Sequence, residues 1–188
     1  MSTSLKLVLL GDGGTGKTSW VAALRGTPVS RQYLPTLGAE IHPITFEYQD
    51  LMRQLNIWDT AGQEKYAGLR DGYYISGDIA IVAFDMHSSI TYKNVPLWVG
   101  DVRRVCGSIP LCVVGMKADE GIDCRASEWC QDTTAFLEAQ EIPVFTLRAI
   151  TGRGLLDPLH SLMQRVISKG ASAKEGQGGE GALPSKSE

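Results

Sequence analysis

No C-x-x-C pair occurs among the four cysteines, Cys106, Cys112, Cys124 and Cys130. That spacing excludes a zinc ribbon and a thioredoxin-type redox pair, so free thiols are expected. Long apolar runs are missing too: "IAIVAF" and "LCVVG" fall far short of the roughly 20 residues a membrane-spanning helix needs. The N-terminal "MSTSLKL" has no basic-then-apolar leader. Together these point to an intracellular chain. Positive charge is not in excess, with 18 Lys and Arg against 21 Asp and Glu and a net charge of −3. A chain without a basic face is unsuited to sequence-independent nucleic-acid binding, and no specific nucleic acid is expected as a partner. No internal repeat is visible. What remains, 188 residues with 43% hydrophobic and 21% charged, suffices for one globular domain with a full core.

Apolar runs of about five residues recur at 5–10, 54–58, 79–84, 111–114 and 144–147, separated by segments with helical spacing. That rhythm predicts βα units and a mostly parallel sheet. "IHPITFEY" alternates like a half-exposed strand, and the polar link "QDLMR" turns it into the run ending at Trp58, which predicts one antiparallel edge hairpin. Helices are expected over 18–24, shortly after Gly68, and over 92–105, 132–139 and 155–167. In the last, Leu155, Leu159, Leu162, Met163 and Val166 fall on one face, the pattern of a helix covering a sheet. The domain is expected over residues 1–168. From Lys169 the composition becomes glycine-rich, and a flexible tail over 169–188 is the expectation.

The most informative stretch is "LGDGGTGKTSW", directly after the run "LKLVL". It contains G-x-x-x-x-G-K-[ST]. After a strand this pattern lets the backbone curl so that successive N–H groups point at phosphate oxygens, with the positive end of the next helix behind them. Lys17 would bridge β- and γ-phosphates, and Thr18 Oγ would ligate magnesium. The bland alternative is a chance glycine loop, expected in about 0.5–1% of chains of this length. The loop implies a nucleoside triphosphate but not which base.

A second stretch, "NIWDTAGQEKYAGLRDGYY", ends a strand with Asp59. Beside a phosphate loop, that carboxylate can hold magnesium through a water. Gly62 can bring its N–H to a γ-phosphate, and Gln63 is placed to orient a water. Alone, Asp59 would read as an ordinary cap or turn residue; the string decides otherwise.

With "GDGGTGKT", "YLPTLGAEIHP", "WDTAGQEKYAGLRDGYY" and "TYKNVPLWVGDVRRVC" in view, the chain resembles the Ras-type small GTPases, and within them the Ran branch of nuclear transport. The likeness is dense from about residue 5 to 110. It implies an α/β, Ras-like P-loop NTPase fold: a six-stranded, mostly parallel sheet with one antiparallel edge strand and five helices. It implies GTP and GDP with Mg²⁺ as ligands and a slow GTPase activity. In the matching positions Asp12, Gly13, Gly14, Thr15, Gly16, Lys17, Thr18 and Ser19 form the phosphate loop. Thr18, Thr36 and Asp59 hold the metal, Gly62 meets the γ-phosphate, and Gln63 is the catalytic group, with Tyr33 near it. Lys117, Asp119 and Ala149 read the base. The likeness further implies importin- and exportin-type transport receptors, an exchange factor and a GTPase-activating protein as partners. The protein would be a monomer in nucleus and cytoplasm.

Base recognition departs from the family. "MKAD" carries Met116 where the family's N-K-x-D has asparagine, the loop Arg148–Ala149–Ile150 lacks the helper lysine, and Val29 replaces an aromatic. Asp119 would still accept from guanine N1–H and the 2-amino group. The lost hydrogen bonds predict affinity lower by roughly ten to a hundredfold and faster exchange; the alternative is that a neighbouring group compensates and affinity is ordinary. The acidic end typical of the Ran branch is absent, as is a terminal cysteine motif for prenylation, so no membrane anchor is expected. Arg103, Arg104 and Lys93 suggest either a basic partner-facing patch or a solvated helix face. Two other functions compete with the switch. One is a pseudo-GTPase module that binds transport factors with little or no nucleotide turnover; the other, disfavoured by "DTAGQE" and Asp119, is a kinase or transport ATPase.

Overall fold

The structure, a computed structural model, describes residues 4–30, 32, 34–62, 67–118 and 130–175. The β-strands are β1 (Leu5–Leu10), β2 (Ala39–Tyr48), β3 (Leu51–Thr60), β4 (Ile79–Asp85), β5 (Leu111–Met116) and β6 (Val144–Thr146). They form one sheet in the order β2-β3-β1-β4-β5-β6. Among the described strands only β2 and β3 pair antiparallel; β1 lies parallel to both β3 and β4. The helical segments are α1 (Lys17–Leu24), α2 (Ala67–Tyr74), α3 (Ser89–Lys93), α4 (Val95–Cys106), α5 (Gln131–Ala139) and α6 (Asp157–Glu175). Asn94 alone separates α3 from α4, so the two pack as one interrupted helix and the expected five helices are present.

Alternation along β1 shows why helices cover both faces. Leu7 and Leu9 join Trp20 of α1 and Leu159, Leu162 and Met163 of α6 in one buried cluster. Val8 and Leu10 point the other way, toward Tyr74, Tyr92, Trp98, Val99, Val102 and Leu137. A strand buried on both faces reads as an unbroken apolar run, which is how "LVLL" and "IAIVAF" appear in the sequence. Edge strand β2 instead alternates, with Ile44 and Phe46 inward, and accommodates Pro43 because its outer side pairs with no strand among the described residues.

Three local boundaries differ from the sequence expectation. The hairpin link is only Gln49 and Asp50, and β3 begins at Leu51. The helix expected over 92–105 starts at Ser89 and breaks at Asn94, because Pro96, in the first turn of α4, has no N–H to give the preceding turn. Helix α6 runs past residue 167 to Glu175. Ala171, Ala173, Lys174 and Glu175 are strong helix formers, and extending a helix orders one residue per hydrogen bond gained. Residues 176–188 lie outside the described residues. Among the described residues, no helix is long and apolar enough to cross a membrane, and Cys106, Cys112 and Cys130 are free thiols. Cys124 lies outside the described residues.

The loop after β1 is set where the chain changes direction. β3 and β4 flank β1 on opposite sides, so the carboxyl end of β1 is the topological switch point where open α/β sheets bind ligands.

The β2–β3 turn yields a stability prediction. Gln49 and Asp50 both have positive φ, 51° and 57°, the backbone a type I′ turn demands and that Asn-Gly adopts most readily. Gln49→Asn with Asp50→Gly is expected to stabilise the fold by about 1 kcal/mol, raising Tm by about 2–4 °C; thermal melts check this.

Candidate nucleotide-binding site

The loop leaving β1 is shaped by glycines at two points. Gly11, at φ 132°, lies so close to β4 that a Cβ would collide with the Ala83 carbonyl. Gly16, at φ 104°, caps α1 from the left-handed region, and its carbonyl accepts the first helical bond, from Trp20 N at 3.0 Å. Beyond it the first N–H groups of α1 have no intrahelical acceptor and form, with the helix dipole, an anion-binding end. Gly13, Gly14, Gly16, Lys17, Thr18 and Ser19 line a cavity of about 520 Å³, joined by Thr36, Thr60, Gly62 and Lys117.

Lys17 is buried, only 6% exposed. Its Nζ donates to the carbonyls of Gly11 at 2.7 Å and Asp12 at 2.8 Å. Burial lowers its pKa to about 8, against the opposing pull of the Asp59 and Asp12 charges. An ammonium in this position is stabilised by backbone dipoles and faces a cavity that would complete it with phosphate oxygens.

Beside it lies an oxygen cluster. Thr18 Oγ1 donates to Asp59 Oδ2 at 2.6 Å and stands 3.1 Å from Thr36 Oγ1. Asp59 is fully buried at the carboxyl end of β3, and its Oδ1 has no hydrogen-bond partner among the described residues. Burial raises its pKa, while the Thr18 hydrogen bond and the Lys17 charge pull it down. A buried carboxylate oxygen without a donor, next to two threonine hydroxyls, fits a hard divalent cation such as Mg²⁺, which takes oxygen ligands and keeps several waters. Thr18, Thr36 and Asp59 are the residues that would hold it. The cation would there neutralise charge on β- and γ-phosphate oxygens.

The rest of "DTAG" closes the site from behind. Thr60 Oγ1 donates to the Leu9 carbonyl at 2.8 Å and Ala61 N to the Gly38 carbonyl at 2.8 Å, tying β3 to β1 and to the segment bearing Thr36. Gly62 is pressed so closely on the phosphate loop that a Cβ would overlap Asp12 and the Gly13 nitrogen. Gln63, Tyr33 and Asp119, assigned from the sequence, lie outside the described residues.

At the base end, Met116 is 1% exposed and belongs to the apolar cluster under α1 and α6. It lies beneath the loop, with its Cβ 3.6 Å from where a Cβ on Gly16 would stand, and is not among the cavity-lining residues. Lys117 does line the cavity. Its Nζ is paired with Asp85 Oδ2 at 2.7 Å, and its carbonyl oxygen is 2.9 Å from His87 Nε2. Ala149, in the loop after β6, is not among the lining residues.

Sequence reading passed over several contacts. Asn94 and Trp98 donate to the Asp12 carboxylate, and Asp85 and His87 hold Lys117. Only the one-turn spacing within "NVPLW" hinted at the first pair. Arg104 forms a forked pair with Asp71 of α2, at 2.7 and 2.8 Å, and meets Asp101 at 3.1 Å. It is therefore a tie between helices within the suspected basic patch, while Arg103 donates to the Ile109 carbonyl. A larger cavity of about 820 Å³, lined among others by Arg103, Pro110, Leu111 and Arg165, lies at the amino end of β5. It holds none of the motif residues, so size does not mark the site.

These features define a phosphate-binding, magnesium-accommodating loop at the switch point of a six-stranded α/β sheet, the arrangement of a P-loop nucleotide switch. The Ras family model matches residues 6–167, and the chain belongs to the Ras family of small GTP-binding switch proteins.

Met116→Asn should slow guanine-nucleotide release about ten to a hundredfold. It should also lower the Tm of the nucleotide-free protein by about 5 °C or more, since a buried apolar side chain is exchanged for an amide. Unchanged release of a fluorescent GDP analogue would show that Met116 is not the weak point. In Thr18→Ala the ability of Mg²⁺ to retard release is expected to vanish, so that rates with EDTA and with excess magnesium coincide.

Proposed function

We propose that this chain is a Ran-type GTPase acting in nucleocytoplasmic transport of proteins. It would cycle between GTP and GDP with Mg²⁺ and hydrolyse GTP slowly by itself. The observation that carries the switch reading is the buried Lys17 beside the Thr18–Asp59–Thr36 cluster, with Gly62 packed on the loop. A triphosphate with its cation would give these groups a common ligand in the cavity. Thr36 and Gly62 lie on the two segments that a γ-phosphate would hold; its loss would release both. Lys17 stabilises charge on the transferred group, and Gln63 orients the attacking water. An activating partner supplies the remaining rate, up to ~10³–10⁵-fold in such switches.

The Ran assignment rests on the wording of "YLPTLGAEIHP", "GLRDGYY" and "TYKNVPLW". It brings the expected partners: importin- and exportin-type receptors, an exchange factor and an activating protein. It also brings a monomer distributed between nucleus and cytoplasm.

A second reading is a nucleotide-poor interaction module that keeps the switch surface for transport factors. Met116, buried where the family places a base-reading asparagine, favours it. Denaturing the protein purified in magnesium buffer and identifying released nucleotide by chromatography separates the two. Near-stoichiometric GDP or GTP is expected; an empty protein that takes up no added GTP establishes the module. Gln63→Leu should bind GTP normally and lose partner-stimulated hydrolysis, and unchanged turnover would remove Gln63 from the mechanism.

A further inference from the structure

Asp12 places a negative charge in a loop that receives phosphate, yet its carboxylate serves another element. Asn94 Nδ2 donates to Oδ2 at 2.9 Å and Trp98 Nε1 to Oδ1 at 3.0 Å. The two donors stand four residues apart, on adjacent turns of one face of the interrupted helix α3–α4. Trp98 is 4% exposed, so its indole N–H is committed inside the protein. The Asp12 main chain is engaged as well: its carbonyl accepts from Lys17 Nζ at 2.8 Å and from Thr15 Oγ1 at 3.0 Å, and Gly62 packs against it. Asp12 is not among the residues lining the cavity, although Gly13, Gly14 and Gly16 are.

We propose that Asp12 is a positioning residue: a side-chain latch, held by Asn94 and Trp98, through which helix α3–α4 presets the phosphate loop before nucleotide arrives. Two charge-assisted hydrogen bonds fix the carboxylate. They thereby fix the peptide that follows, whose N–H belongs to Gly13. A loop already ordered loses less conformational freedom on binding, and that difference appears directly as affinity and residence time. The same bonds keep the carboxylate off the phosphates, which it would otherwise repel at close range in a site of low dielectric. The platform is itself anchored, since Arg104 of α4 is forked onto Asp71 of α2. The latch rests on the nucleotide-binding reading for its purpose but not for its geometry.

A swap of partners tests it. Asn94→Asp sets two carboxylates face to face; adding Asp12→Asn restores one donor and one acceptor with the roles exchanged. Two readouts are taken on the full chain: amide hydrogen exchange over residues 11–18 without nucleotide, and release of a fluorescent GDP analogue from the loaded protein. Asn94→Asp is expected to raise both by about tenfold or more, the scale of a lost hydrogen bond to a charged group. The double variant should return both to within about threefold of wild type. Trp98→Phe, which keeps the ring and removes the donor, should move both in the same direction by less. Exchange over 11–18 that is unaltered in Asn94→Asp, or not restored in the double variant, overturns the latch. A chain that takes up no nucleotide defeats the proposed function alone, because the exchange measurement still decides. If Asn94→Asp fails to fold, Trp98→Phe with exchange like wild type overturns the proposal, and faster exchange confined to 11–18 supports it.

Discussion

An ammonium removed from water is tolerated only where dipoles or anions surround it, and Lys17 is the group around which this protein is arranged. Its carbonyl partners are Gly11 and Asp12, which are in place only because the chain leaves β1 in the left-handed region and runs tight against Ala83 of β4. The countercharge that acts on it most, Asp59, stands at the carboxyl end of β3, aligned with Leu9 by the parallel pairing of β1 and β3. A shift of that pairing by one residue would turn Asp59 to the opposite face of the sheet. The register of the sheet and the electrostatics of the site are thus one constraint.

The strands supply the precision and the connecting segments supply the chemistry. β1, β4 and the carboxyl half of β3 are buried, and what they project at their carboxyl ends is a set of short segments tied to one another. Thr60 bonds to Leu9, Ala61 to Gly38, and Gly62 rests on Asp12. A ligand touching both the Thr36 and the Gly62 segments would bind one arrangement of them better than another, which is what shifts a two-state equilibrium. The base end is built differently. There Met116 adds to the apolar core rather than to the ligand pocket, and Lys117 is committed to Asp85. Among the described residues, Lys17 and the Thr18–Asp59–Thr36 cluster converge on one cavity, while Met116 packs into the core beneath the loop.

The sheet and the phosphate loop were legible in the sequence. Both-face burial leaves unbroken apolar runs, so β1, β4 and β5 were readable to within two residues. Glycines with a lysine and a threonine at fixed spacing have few other uses, so Gly13, Gly14, Gly16, Lys17 and Thr18 were readable as a site. Asp59 and Gly62 were legible in the string after β3 and Thr36 only through the resemblance, and the structure gathers all three around that loop. The reach of α6 to Glu175 was not legible, because a glycine-rich composition masks the helix formers within it.

Tertiary structure alone decided where side chains with several possible partners would turn. Asp12 could have faced the cavity; Asn94 and Trp98, some 80 residues away, draw it to α3–α4. Arg104 could have been a free cation of a partner-facing patch, and Asp71 claims it. Met116 could have bordered the base, and packing against the apolar cluster withdraws it. In each case the local sequence permits several outcomes, and the choice among them is made by contacts between residues distant in the chain.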